Sequence, residues 1–323
     1  MPTRRTLLHA AAGLGAALLP GATRAETYPS RTVRVIVPYT PGGSTDITAR
    51  IVGDKMSAEL GQRFLIDNRP GAGGNLGMDL AAHARPDGYT LAIATTAHAI
   101  NMTLFSNLTY DTLKSFAPVA LLTENPLILV VNPTLPIKTV ADLITLAKQK
   151  PGGLHYASSG NGQSTHLAAE LFCSMAGIRM VHVPYRGSAP AIQDVIAGQV
   201  EMIFDSSQSA LPHVEDGGVR ALGVTSRQRM PTLPDTPPIA DTLPGYEAIA
   251  WNGLVAPAGT DPAIVNRLNG AVVHALAQPD VIKRFEDLGA TCRPTTAAEF
   301  GGYMAAEIAK WGRVVQASGA KID

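Results

Sequence analysis

The sequence predicts an α/β protein of two lobes, each carrying a mostly parallel five-stranded sheet flanked by helices. Three observations lead there. Short apolar strands alternate with amphipathic helices along the chain, a pattern that builds parallel sheets covered on both faces. The strands number about ten, and an open sheet of that size tends to split, so two sheets of about five are expected. Twice, a strand runs into a glycine turn and then into a helix opening on hydroxyl residues: Val33–Val37 into Pro38–Asp46, and His155–Ser158 into Ser159–Thr165.

The elements follow in order. Val33–Val37 is a strand. Asp46 to Leu60 is a helix, with Ile47, Ile51, Met56 and Leu60 on its apolar face. Phe64–Asp67 is a strand, Asn68–Asn75 a glycine-rich loop, and Met78–Ala84 a short helix. Pro86-Asp87-Gly88 turns the chain into a strand at Tyr89–Ala94. Leu121–Leu122 and Leu127–Val131 are strand pieces on either side of Glu124-Asn125-Pro126. Thr139 caps a helix to Lys148, with Val140, Leu143, Ile144 and Ala147 at helical spacing. Strands follow at Leu154–Ala157, Met180–Pro184, Glu201–Phe204 and Val219–Val224, with helices between them, one of which, Ala189–Ala197, closes on Gly198. Met230–Pro244 is a proline-rich connection and Trp251–Ala256 a strand. The tail is helical at Pro262–Ala277, Pro279–Leu288 and Ala297–Ser318. The middle block holds five strands and the two flanking blocks together hold five more. Residues 26–123 and 226–323 are therefore assigned to lobe 1 and 124–225 to lobe 2, joined by a hinge of two crossings.

Residues 1–25 stand apart. Arg4 and Arg5 precede an uncharged apolar run, Leu7–Leu19, and a small-residue exit ending at Ala25. That is a secretory signal peptide. Thr3-Arg4-Arg5-Thr6-Leu7-Leu8 also has twin-arginine character, so the export route stays open. The run is shorter than the roughly 18 residues of a membrane span. Removing this segment deletes three Arg and no acid, which leaves 23 basic against 26 acidic residues, a net charge of −3. With no basic stripe, nucleic acid is not an expected partner. The only two cysteines, Cys173 and Cys292, fall in different lobes and are expected as separate thiols.

Each glycine turn is expected to present free backbone N–H groups at a helix start, where the dipole favours negative charge. Neither turn contains Lys or Arg. Two such turns in two lobes suggest closure on one small anion at the carboxyl ends of the strands. Other chemistries fit less well. Gly162-Gln163-Ser164-Thr165-His166 lacks the closing glycine of a nucleophile elbow, so a serine hydrolase is not supported. The eight histidines show no metal-ligand spacing, and no cofactor is expected. Gly71–Gly77 has Leu76 where a dinucleotide fingerprint needs its third glycine.

The chain also resembles the Bug receptor family, the periplasmic solute-binding components of tripartite tricarboxylate transporters. The resemblance is carried, in order, by Val37–Asp46, Asn68–Asn75, Pro86–Leu91, Tyr156–His166, His182–Gly187, Gly198–Asp205, Ala210–His213, Arg220–Ser226 and Gly253–Thr260. It implies a type II periplasmic-binding fold, a monomer that closes on a small carboxylate (a dicarboxylate, an amino acid or an aromatic acid) and passes it to the membrane permease subunits. Backbone N–H groups and waters hold the carboxylate in that family. By resemblance, Tyr39, Pro41, Gly42, Gly43, Ser44 and Asp46 line the cleft from lobe 1, with Thr95 and Thr96 as a third contact loop. Ser158, Gly160, Asn161, Ser164, His166 and Asp205 line it from lobe 2. Structural readings stand beside these. Ser44 or Thr45 could simply cap a helix, Asp46 could cap the first turn or pair with a ligand ammonium if the solute is an amino acid, His166 could be packed, and Asp205 could pair with a local N–H. A periplasmic sensing module that presents its solute to a signalling receptor is the alternative function.

Overall fold

In the computed structural model, which describes residues 28–318, one long strand ties the two halves of the protein together. The signal peptide read at residues 1–25 lies outside the described residues. The first half opens with β1 (Val33–Val37), α1 (Ser44–Leu60), β2 (Phe64–Asn68), α2 (Asn75–Ala82), β3 (Thr90–Thr95) and α3 (Thr96–Leu104). Then comes β4 (Phe116–Val131), a strand of 16 residues. The second half adds α4 (Val140–Gln149), β5 (His155–Ser158), α5 (Ser164–Ala176), β6 (Val181–Pro184), α6 (Ser188–Ile196), β7 (Met202–Ser206), α7 (Ser207–Glu215) and β8 (Arg220–Val224). The chain returns through β9 (Ile249–Pro257), α8 (Pro262–Ala277), α9 (Pro279–Asp287), β10 (Thr291–Cys292) and α10 (Ala297–Ser318).

The βα alternation read from the sequence is present, and β1 lies parallel to β2 and β3. In the second half β5 is parallel to both β6 and β7. The two expected sets of strands are present, β1, β2, β3, β9 and β10 in one and β5, β6, β7 and β8 in the other, but β4 belongs to both and joins them. The strand order is β2-β1-β3-β9-β4-β7-β5-β6, with β8 and β10 also on β4. Pro126 made β4 read as two pieces. In the fold it keeps extended backbone opposite Ile249, where β4 exchanges β9 for β7 and β8 as neighbours. A proline is tolerated where the ladder changes hands, because no partner there needs its missing N–H. Register shifts at Pro118/Ala120 and Leu121/Thr123 let so long a strand bend.

Helix α3 and strand β10 were not anticipated. Thr95 and Thr96, expected as a loop, are the cap and first residue of α3. His98 returns a bond to the cap, taking the Thr95 N–H on Nδ1 at 2.8 Å. A capping box ordinarily uses Glu or Gln at that position, so this start is not marked in the sequence.

The largest apolar core spans both halves. It runs from Ile100 and Leu104 on α3 through Leu167 and Phe172 on α5 to Trp311 on α10. Trp251 and Trp311 both donate their indole N–H to Glu307 Oε2, at 3.1 and 2.8 Å. The segment 226–248 packs on the second half. Met230 and Leu233 join the Ile203–Val224 cluster, and the Tyr246 hydroxyl donates to the Ala168 carbonyl at 2.9 Å. Cys173 and Cys292 are separate thiols.

Candidate ligand-binding cleft

The first glycine turn is shaped by one carboxylate. Asp46 accepts the Gly42 N–H at 3.0 Å, two Arg50 N–H groups at 2.9 Å each, and Asn68 Nδ2 at 3.0 Å. Burial alone would raise its pKa, but bonds from Arg50, Gly42 and Asn68 outweigh that and hold it below the usual carboxylate range. Asp46 is thus the brace of its own turn. Asn68 Nδ2 also reaches the Tyr39 carbonyl at 3.0 Å, fixing the strand exit. Gly42 needs its positive φ of 88° for the chain to fold back this way. Neither Ser44 nor Thr45 caps the helix. Gly43 occupies the cap position without a side-chain bond.

The second turn is shaped by hydroxyls and imidazoles. The Ser159 N–H donates to Thr165 Oγ1 at 2.9 Å, the Gly160 N–H to Ser158 Oγ at 3.1 Å, and the Gly162 N–H to His166 Nδ1 at 3.3 Å. Behind them, Ser158 Oγ lies 2.6 Å from His182 Nε2. The His166 and His182 rings stack with centroids 3.9 Å apart, and Tyr156 lies against His182 at 5.0 Å. Tyr156 donates its hydroxyl to Glu170. Burial pushes His166 down to about 3, helped by His182, and pushes His182 down to about 4. His166 is therefore a packed, neutral element of the turn.

This arrangement narrows the set of N–H donors that the turns can offer. Those of Gly42, Ser159, Gly160 and Gly162 are spent on the protein itself. What stays available for an anion is the first turn of α1 and of α5, where helix geometry leaves the leading N–H groups without intrahelical acceptors. Ser44 and Ser164, both half-buried, stand at those two starts.

The two turns meet. The Tyr39 hydroxyl is 2.8 Å from Thr95 Oγ1 and also bonds the side chain of Gln163, the residue before α5. Burial pushes the Tyr39 phenol up to about 12. Gln163 Nε2 donates to the Gly73 carbonyl at 3.0 Å. Thr40 Oγ1 comes within 3.1 Å of where a Cβ on Gly187 would stand. Asn101 Oδ1 lies 2.6 Å from the equivalent position on Gly162, a distance only glycine permits.

The remaining predicted residues divide. Pro41, Gly42 and Asn161 are exposed on the turns. Thr96 is buried, and its hydroxyl accepts the Trp251 N–H at 2.9 Å, so it braces β9. Asp205 is fully buried at the end of β7, holding the Ser188 hydroxyl at 2.6 Å and the Ser206 N–H at 2.8 Å. Its burial outweighs these bonds and raises its pKa. Gln163, Gly73, Asn101, His98 and His182 were not among the predicted residues. The sequence marks Gln163 only by its place inside the second turn, and it marks Asn101 not at all.

The model of the tripartite tricarboxylate transporter family receptor matches residues 48–320. The chain belongs to that family. It is 36% identical to protein BugT of Bordetella pertussis over 301 residues, 92% of each chain. Among solved structures it is similar to Rpa4515 of R. palustris with adipate, at a TM-score of 0.87 and 37% identity, covering 90% of this chain and 98% of that one. It is also similar to MatC of Rhodopseudomonas palustris with bound malate, at a TM-score of 0.85 and 37% identity, covering 89% of this chain and all of that one. The resemblance read from the motifs is thereby borne out, as is the α/β fold of the periplasmic binding proteins. Members of this family are binding receptors and not enzymes.

Proposed function

We propose that this chain is an exported periplasmic receptor that captures a small carboxylate between its lobes and delivers it to the permease subunits of a tripartite transporter. The observation that carries this reading is the meeting of two helix starts from opposite halves, joined through Tyr39 and Gln163. The leading N–H groups of α1 and α5, with the hydroxyls of Ser44 and Ser164, supply donors for one carboxylate. Donors of this kind bind a charged acceptor strongly without a cation. Adipate and malate in the related structures support a dicarboxylate as the solute. Tyr39, Pro41, Gly43 and Asn161 would surround it, while Asp46, Thr96, Ser158, His166 and Asp205 shape the walls.

The lobe division that fits this function puts residues 26–123 in one lobe and 124–225 in the other. The return crossing is then at Ala248–Ile249, because residues 226–248 lean on the second lobe. Contacts from both lobes are available together only when closed, so ligand shifts the population to that state. The receptor acts as a monomer, and its closed surface is what the permease reads.

Calorimetry and thermal shift with adipate and malate against their amides test this. Binding on the order of micromolar or tighter is expected for the acids and loss of it for the amides. Equal response to acid and amide would overturn the reading. A Gly160→Val substitution, at a φ of 135° and with Tyr185 O only 3.2 Å from the new Cβ, should abolish binding.

A further inference from the structure

Gln163 is the residue before α5, where a side chain normally bonds the helix's own N–H groups. Its side chain makes no such bond. Instead the amide is buried and its Nε2 is turned to the opposite half. Nε2 donates to the Gly73 carbonyl at 3.0 Å, and the same side chain takes part in a hydrogen bond with the Tyr39 hydroxyl. The bond with Gln163 lowers the Tyr39 pKa, as donation from the amide N–H to the phenol oxygen does, so Nε2 is the end that reaches both partners.

The surface it meets is assembled in advance. The Gly73 carbonyl is already held by Asn101 Nδ2 at 3.2 Å. That amide is fixed by Asn75 Oδ1 at 2.8 Å, which in turn takes the Tyr110 hydroxyl at 2.7 Å. On the other side, Tyr39 is aligned by Thr95. All of these partners lie in the first half of the chain. They form a fixed dock, and Gln163 enters it from the second half through its Nε2 donors. Gly73 and Gly162 allow the approach. A Cβ on Gly73 would stand 3.1 Å from Asn161 O, and one on Gly162 would stand 2.6 Å from Asn101 Oδ1.

We propose that Gln163 is a positioning residue that sets ligand residence time: its amide locks the two lobes together through Gly73 and Tyr39 and does not itself hold the carboxylate. This rests on the binding function proposed above. An amide whose N–H donors are satisfied by protein in the closed state and by water in the open state favours closure without contacting the solute. Its loss therefore speeds opening and leaves entry unchanged.

Stopped-flow binding of sodium adipate and sodium malate to the full chain tests the assignment, comparing parent, Gln163→Ala and Gln163→Glu. For Gln163→Ala, a dissociation rate at least tenfold faster is expected, with an association rate within twofold of the parent and an unchanged ligand-free melting temperature. For Gln163→Glu, the charged carboxylate repels the Gly73 carbonyl at pH 7.5, whereas the protonated carboxyl can donate to it. Its dissociation rate relative to the parent should move back toward one as pH falls to 5, and that of Gln163→Ala should not. A helix-capping role alone would produce no such pH rescue. Small-angle scattering without ligand is the second arm, in which Gln163→Ala should have the larger radius of gyration. If neither salt binds the parent, the carboxylate reading fails while the scattering arm still decides the lock. Unchanged dissociation and scattering in Gln163→Ala, or a loss confined to the association rate, would overturn the proposal. Should the alanine variant unfold, the pH rescue of Gln163→Glu alone decides.

Discussion

Replacing Asp46 by alanine is the sharpest test of how the first turn is built. The carboxylate is nearly fully buried and receives four hydrogen bonds. A bond to a charged group contributes about 1.5–3 kcal/mol net. Not all four count in full. The Arg50 side chain is 51% exposed, so that pair is worth at most about 1 kcal/mol. Asn68 keeps its bond to the Tyr39 carbonyl. The Gly42 N–H loses its charged acceptor and recovers water on an exposed turn. The expected loss is about 2–3 kcal/mol of folding stability, read by urea denaturation. The sign with pH follows from the depressed pKa. The folded state favours the ionised form, so the contribution is complete above the unfolded value of about 3.9 and disappears as pH falls through the lower folded value. Parent and variant should thus differ at pH 7 and converge below pH 4. A difference under about 0.5 kcal/mol at pH 7, or one that persists in acid, would refute the bracing role.

Three further outcomes are expected. Gly253→Ala should cost about 3 kcal/mol or more in denaturation, because its Cβ would lie 2.0 Å from the Phe300 ring in a packed core. His98, His166 and His182 are held neutral by burial, with values of about 3, 3 and 4. Unfolding lets them bind protons from about pH 6.5 downward, so stability should fall with acidification by up to about 1.4 kcal/mol per pH unit for each, and a His182→Gln variant should show a shallower slope. Burial pushes the Cys173 and Cys292 thiols up to about 12 and 11, so a disulfide reagent at pH 7.5 should label the folded protein slowly and the urea-unfolded protein at once.

The regular elements were legible because their signals are local. Val33, Val35 and Val37 alternate into the core, Thr139 and Asp142 form a capping box, and Pro262 and Pro279 each open a helix. The two turns were found for the same reason, since glycine followed by hydroxyls is a short pattern. What the turns do with their N–H groups was not legible. That depends on side chains brought in by the fold: His182 is distant from Ser158 in sequence but hydrogen-bonded to it. The interlobe contacts were hidden for a similar reason. Asn101 meets Gly162 only after α3 has formed, and α3 starts on a histidine-closed cap that local pattern does not announce. The unbroken run of β4 was missed because a proline was given the meaning of a break, although position in the ladder decides what it costs.

The continuity of β4 has a consequence for how the molecule comes apart. Its first part is laddered to β9 and β10, and its last part to β7 and β8. Melting either lobe alone would strip one end of a strand whose other end remains hydrogen-bonded, and would expose apolar side chains such as Leu129 and Val130 to water. Heat or urea should therefore dismantle both lobes in one cooperative transition, and an insertion anywhere along those 16 residues should be felt by both.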